Sequence, residues 1–560
     1  MGSSSRVFVE RIERHRYLFL ASVGTLLYLT CLGLRDLWFP NEPNVAQTAL
    51  TMYLSGDWVV PRRMGAVWLD YPPLIYWAGS LFSTMLGAMS EVSLRLPSAL
   101  GAIVLALVTC AMGSRSFGPS TGLWAGFVLL TFPQFVLQAV GYRPDMLFSL
   151  FIASGLLVYA SGTGPEKRLP ARVAGFVLFG LAMLTKGPLG LLLPGLVLCL
   201  WHGARREWRP LVMLPFLALV SLALYLVWFI ACAYQIGAGD VLQELWKQNT
   251  ARFTSGFRGH ARPVYYYAVN IWHDMAPWSV LLPLALWWSW RRHARSDSIQ
   301  QLLLWWFGVF FVFLSIGATK RQLYLLPAYP AVALLLGQWI AAVVEGRAGF
   351  SGLHRRLATV AVVLAGSLPV LLGGILLSAA VGADVLVQRL ALDPSEAAVA
   401  RSLQAPGLGI GLVSVAVGFW VLRARSYPDL PRALCRLAIG IVSIHFLVLS
   451  WFMPRFNPVK TYEPAGRWIA ENVGSEAVIG IAYPRRGRAK MAAFGYYSRR
   501  GVDLLDSKEE IEGFLRDHTG SAVLLAAAAA ETIYGPGNAE WQLQVVKELT
   551  AGGDRYFVLR

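Results

Sequence analysis

Thirteen apolar runs, each close to the roughly 20 residues that cross a bilayer, dictate what this chain can fold into. They fall at about 17–34, 96–112, 123–140, 146–160, 171–184, 189–201, 211–234, 275–290, 302–316, 323–344, 357–380, 408–422 and 434–453. Only 14% of the residues are charged and 56% are hydrophobic, whereas a soluble domain carries about a quarter charged. An α-helical polytopic membrane protein with about thirteen transmembrane helices is expected.

The net charge of +17 raises the question of a nucleic-acid partner. Its basic residues, however, sit in short clusters between apolar runs and do not form the continuous face that nucleic acid needs. Orientation accounts for them. With Arg6, Arg11, Arg14 and Arg16 in the cytoplasm, alternate loops place Lys167/Arg168, Arg205/Arg206, Arg291/Arg292, Arg355/Arg356 and Arg432/Arg436 on that same side. An odd number of spans then leaves everything beyond Pro454 outside. The first run has no small-residue cleavage site, so it reads as a retained span. The five cysteines, Cys31, Cys110, Cys199, Cys232 and Cys435, lie in or beside spans without metal-ligand spacing and read as small packing residues.

Two domains follow: residues 1–454 as the membrane domain and 455–560 as a soluble extracytoplasmic α/β domain. The external loop 35–95 holds two membrane-surface helices, over Asn44 to Leu54 and Leu74 to Leu86, the second opened by Pro72-Pro73. A second external loop covers 235–274. In the tail, β-like runs from Ala477 to Ala482, Ser521 to Ala526 and Tyr556 to Leu559 alternate with helical stretches from Pro464 to Glu471 and Lys508 to Asp517. Tyr496 and Tyr497 read as tail core. No internal repeat suggests a transporter of two matching halves.

Carboxylates and cations share the external face: Glu42, Asp57, Asp70 and Asp145 with Arg62, Arg63, Arg143, Lys186, Arg252, Arg258, His260, Arg262, Lys320 and Arg321. Such a mixture suits a phosphate-bearing lipid held by Arg and Lys while a carboxylate orients an acceptor. The alternative for Asp57, Arg62 and Arg63 is interfacial snorkelling, and for Asp145 it is capping of the helix that it opens. Lys186, Lys320 and Arg321 are cations in short outside turns, where the orientation rule disfavours them, and a partner phosphate would explain them. Tyr324 lies one turn beyond Lys320, in reach of the same ligand.

Pro40-Asn41-Glu42, Gly56-Asp57-Trp58-Val59-Val60-Pro61, Arg143-Pro144-Asp145, Thr185-Lys186-Gly187, Asn249-Thr250-Ala251-Arg252-Phe253, His260-Ala261-Arg262-Pro263 and Thr319-Lys320-Arg321-Gln322-Leu323-Tyr324 come in an order that resembles the bacterial lipid-linked-sugar glycosyltransferases of the GT-C class. Among these the chain is most similar to the aminoarabinose transferases that modify lipid A, within the protein-mannosyltransferase-like superfamily. The resemblance implies a bacterial inner-membrane enzyme that takes a sugar from an undecaprenyl-phosphate donor on the periplasmic side and passes it, with inversion, to lipid A or another envelope lipid or glycan. It further implies catalytic roles for Asn41, Glu42 and Asp145. Donor or acceptor binding would fall to Arg62, Arg63, Asp70, Tyr71, Lys186, Arg252, Arg258, His260, Arg262, Lys320, Arg321 and Tyr324.

The chain departs from the family at two places. Asn41-Glu42 stands where Asp-Glu is usual, and Asp70-Tyr71-Pro72 where the aminoarabinose transferases have Glu-Lys-Pro. An amide cannot take a proton, so a hydroxyl acceptor would need Glu42 or Asp145 as base, whereas a phosphate acceptor is already ionised. Arg62 or Arg63 would replace the missing lysine. A divalent metal among Glu42, Asp70, Asp145 and His260 is compatible with the residue types but not required by them. Two alternatives keep the fold: transfer to protein Ser or Thr, and a lipid-sugar binder without catalysis.

Overall fold

The computed structural model describes residues 12–38, 42–162, 165–247, 261–293, 298–346, 351–392, 394–423, 427–475, 477–483, 491–518, 520–535, 542 and 544–560. Among them the membrane half opens with α1 (Arg16–Leu27), α2 (Glu42–Ser55), α3 (Leu74–Met85) and α4 (Glu91–Phe117). It continues with α5 (Pro119–Leu130), α6 (Pro133–Ala139), α7 (Pro144–Ser161), α8 (Pro165–Lys186), α9 (Leu189–Ala204) and α10 (Trp208–Ile236). Helices α2 and α3 cover the two stretches expected to be helical in the first loop. Local chemistry sets these boundaries. Ser90 accepts from the Ser93 amide while Ser93 Oγ accepts from the Ser90 amide at 2.8 Å, a reciprocal box that starts α4. Prolines occupy the first turns of α5, α6 and α7, where the missing N–H costs nothing.

All thirteen apolar runs contain helix, but the expected span count needs correction. Nine described helices are long and apolar enough to cross a membrane, or ten if α5 and α6, bent by 68° at their junction, form one broken span. The remaining three are too short. The 16 residues of Arg16–Cys31 and of α9 each rise about 24 Å and the 12 of Leu282–His293 about 18 Å, against a hydrocarbon core of about 30 Å. Phe132 causes the α5–α6 break: it precedes Pro133, is held extended, and cannot continue the helix.

At the centre of the bundle lies Gln322–Val344, nearly all of whose apolar residues are buried. Small residues let neighbours approach: a Cβ on Gly113 of α4 would meet the Gly122 Cα of α5 at 2.9 Å. The tail carries a five-stranded sheet ordered β4-β3-β5-β7-β6, after a two-stranded hairpin of β1 (Arg62–Arg63) and β2 (Ala66–Val67) in the first loop. In it β3 (Ile479–Ala482) runs parallel to β4 (Val502–Leu505) and β5 (Ala522–Ala526), while β7 (Asp554–Leu559) pairs antiparallel with both β5 and β6 (Val545–Ala551). The expected helices are present as Glu463–Asn472 and Lys508–Asp517. The tail docks on the membrane half through Met491–Ser498 against α2, where Gly495 admits the Gln47 amide.

Candidate functional site

The α5–α6 break and the turn after α6 shape a cavity of about 410 Å³. Arg35, Arg143, Arg262, Lys320 and Arg321 line it together with one carboxylate, Glu42. Five cations against one anion favour a ligand that carries phosphate.

Glu42 is deeply buried at the start of α2 and both its oxygens are fully engaged. Arg35 approaches it at 2.6 and 3.2 Å, Arg95 at 2.9 and 3.2 Å, the Tyr142 amide at 3.0 Å and the Trp38 amide at 3.2 Å. Burial alone would push this carboxyl up, but the two guanidiniums and their hydrogen bonds outweigh it and hold the group well below the usual carboxylate range. A carboxylate with six donors on about four lone-pair sites has no room for an acceptor proton. The geometry makes Glu42 a clamp that joins the 35–38 segment, α4 and the turn that leads into α7. Sequence reasoning missed Arg35 and Arg95. Their signal was Arg95, a charge inside the apolar helix α4, where an ionised group needs a partner.

Asp145 sits in the first turn of α7, where the helix dipole favours an anion. It makes no cap: the Arg143 position caps α7 without a side-chain bond, and the Asp145 carboxylate takes the ammonium of Lys186. Lys186 ends α8, and Gly187, at φ +84°, supplies the left-handed residue that stops the helix there. The Lys186 ammonium also lies 4.5 Å from the centre of the Tyr324 ring. The face of Tyr324 is thus turned to Lys186. Arg143 ties this buried group electrostatically to the cavity, being within reach of Asp145, Arg321 and Glu42 together.

On the opposite wall, an antiparallel bridge pairs Ala261 with Thr319, and the Arg262 amide donates to the Ala318 carbonyl at 3.2 Å. Lys320 donates to the carbonyls of Arg262, at 2.9 Å, and Gly317. Its charge thus fastens the second external loop while lining the cavity. Beside it, Gln322 donates to Asn270 at 3.0 Å and meets His273 at 2.9 Å.

Other expected site residues lie elsewhere. Asp57 accepts from the amides of Val59 and Val60, an Asx turn, and pairs with half-exposed Arg62 at 3.8 Å. Arg63 is buried with its guanidinium 3.3 Å from the Trp68 ring centre. Arg62 and Arg63 are thus hairpin residues and do not line the cavity as the expected lysine replacement would, nor do Asp70 and Tyr71. Asn41, Arg252, Arg258 and His260 lie outside the described residues. No group of three or more His, Cys, Asp or Glu residues suited to a metal occurs among the described residues.

Over nearly its whole length the chain superposes on ArnT from Cupriavidus metallidurans, solved bound to undecaprenyl phosphate, with a TM-score of 0.72 at 19% identity and 97% of each chain covered. Its fold is that of ArnT. The GT-C architecture with a small C-terminal sheet, expected from the sequence landmarks, is therefore present. Archaeal oligosaccharyltransferase AglB from Archaeoglobus fulgidus matches this chain more loosely, with a TM-score of 0.51 at 11% identity, covering 93% of this chain and 70% of that one. Residues 70–231 match the family described as dolichyl-phosphate-mannose-protein mannosyltransferase. In sequence, the undecaprenyl phosphate-α-4-amino-4-deoxy-L-arabinose arabinosyl transferase of Edwardsiella ictaluri is 29% identical over 331 residues, 57% of this chain and 58% of that protein. Its counterpart in Pseudomonas paraeruginosa is 31% identical over 330 residues, again 57% and 58%. An uncharacterized protein of Aquifex aeolicus is 28% identical over 58% of this chain and 64% of its own length. The aligned part thus spans under two thirds of each of these relatives.

Proposed function

We propose that this multi-pass membrane protein is a bacterial inner-membrane glycosyltransferase that moves a sugar from an undecaprenyl-phosphate donor to lipid A or another envelope lipid or glycan on the periplasmic side. The observation that carries this reading is the cavity with five cations and one fully engaged carboxylate, in a fold shared with ArnT. The carrier phosphate becomes the leaving group. Cations fixed beside it stabilise charge that grows as the bond from the anomeric carbon to the phosphate oxygen breaks, and this kind of preorganised stabilisation is often the largest catalytic effect. Attack from the opposite face gives inversion. A phosphate acceptor arrives ionised, which suits a site where the buried carboxylates of Glu42 and Asp145 are both held in ion pairs.

The test uses the full chain in proteoliposomes with radiolabelled undecaprenyl-phosphate sugars and total envelope lipids. Label should move into a lipid fraction, and Arg321→Gln should slow that transfer about 10²–10³-fold. Label in protein would replace the acceptor class. No transfer from any donor, with the wild type intact, would overturn the reading.

A further inference from the structure

The cavity wall contributed by α6 is neutral. Gln134 and Gln138 are one helical turn apart on this short helix, each is 6% exposed, and both line the cavity. Buried amides are ordinarily hydrogen-bonded. Gln138 is an exception: its Oε1 is buried without a partner among the described residues, and neither its side chain nor that of Gln134 hydrogen-bonds another described residue. Gln322, the third glutamine of the cavity, is by contrast engaged by Asn270 and His273. A half-turn of a terminal amide exchanges its oxygen and nitrogen at little cost, so each side chain can offer the cavity an acceptor or a donor.

The placement of α6 gives these amides a purpose. Non-helical backbone at membrane depth persists where it lines a polar cavity, and here the break at Phe132 turns α6 by 68°. That turn brings the Gln134/Gln138 face to the same space as Arg143, Lys320 and Arg321. A phosphate has no need of neutral amides amid five cations. A hydroxylated ring attached to that phosphate does, because its O–H groups need both donors and acceptors.

We propose that Gln134 and Gln138 form the glycosyl subsite of this cavity, binding the polar groups of the donor sugar while the cations hold its phosphate. This inference rests on the proposed function and names the residues that would read the sugar. Leaving a buried amide unpaired costs about 1–3 kcal/mol, so the sugar-bearing carrier should bind the full chain roughly tenfold or more tightly than bare undecaprenyl phosphate.

The measurement is equilibrium binding of both carriers, undecaprenyl phosphate with and without its sugar, to the wild type and to Gln138→Leu and Gln134→Leu in proteoliposomes. Either substitution should abolish most of the sugar preference while affinity for bare undecaprenyl phosphate stays within about twofold, which also shows that the variant is folded. Equal loss for both carriers, or no change for either, overturns the subsite. The wild type supplies a test that no folding failure can obscure: if it binds both carriers equally, the subsite is wrong although the proposed function survives. If it binds neither carrier, the proposed function falls and the subsite with it.

Discussion

Glu42 shows how a side chain with the right chemistry for a base can be spent on architecture. Replacing it by Gln leaves Arg35 and Arg95 facing each other without an anion, and breaking a buried pair in this way costs about 3–5 kcal/mol. Glu42→Gln should therefore lower the thermal midpoint sharply, as read by tryptophan fluorescence in detergent. The sign of its pH dependence follows from the depressed folded-state carboxyl. Its stabilisation is fully present above the unfolded value of about 4.3 and fades as pH falls below it toward the lower folded value. Wild-type stability should decline below about pH 4, and Glu42→Gln should flatten that decline; parallel acid curves for the two proteins would refute the clamp. Tyr324 makes a second residue-scale prediction. Because Lys186 meets the ring face 4.5 Å from its centre, Tyr324→Phe should keep transfer near wild type. Tyr324→Leu should forfeit about 0.5–2 kcal/mol of the cation–ring contact, seen as slower transfer. Equal loss in both would mean that the hydroxyl matters instead. The sequence marked Lys186 as a cation in need of a partner but pointed to a phosphate, whereas its described partner is the Asp145 carboxylate. Tyr324's partner was not legible, since helical spacing pointed to Lys320 and a three-dimensional crossing put Lys186 there.

Helices pack here through missing side chains. A Cβ on Gly122 would collide with Ser114 Oγ and the Cys110 carbonyl, one of them backbone that cannot yield, whereas a Cβ on Gly195 of α9 would meet nothing within 4 Å. Gly122→Ala should destabilise by about 1–3 kcal/mol, while Gly195→Ala should be neutral or gain up to about 1 kcal/mol from helix propensity. Matching melting curves for the two would show that the α4–α5 contact is loose. At this scale the sequence was informative about which segments are helical, because apolar composition and proline-led starts are local signals. It was less informative about which helices cross. Apolar character fixes where a segment is comfortable, but length decides whether it spans, and α1 and α9 stop short. The glutamines of α6 were invisible for a related reason. Inside an apolar run they look like tolerated polar residues, and only the bend at Phe132 turns them toward the cavity.

Across the whole molecule, the tail holds the membrane half at the 36–38 segment as well as at α2. The Leu37 amide donates to Tyr497 Oη at 2.8 Å, and Asn457 Oδ1 accepts from the Trp38 indole at 2.9 Å and the Asp36 amide at 3.3 Å. Trp38 lines the cavity and carries Arg35 stacked on its ring at 4.5 Å. Asn457→Ala and Tyr497→Phe loosen the same three residues, so their effects should not add. A double-mutant cycle on thermal stability should give a coupling of about 0.5–3 kcal/mol, and additivity would show that the two contacts act separately. Tyr497 had been expected to be tail core, and its ring does pack there; nothing in the sequence could show that its hydroxyl reaches back across the chain.

That reach has a consequence for how the protein is made. By residue 321 the chain has synthesised every described cation of the cavity, and Glu42 and Arg95 already hold the Arg35–Trp38 wall from one side, yet the contacts from Asn457 and Tyr497 arrive only with the tail. A nascent chain would thus hold a charged opening secured from one side for much of its synthesis, and its wall would be secured from the other only once the tail has folded and docked.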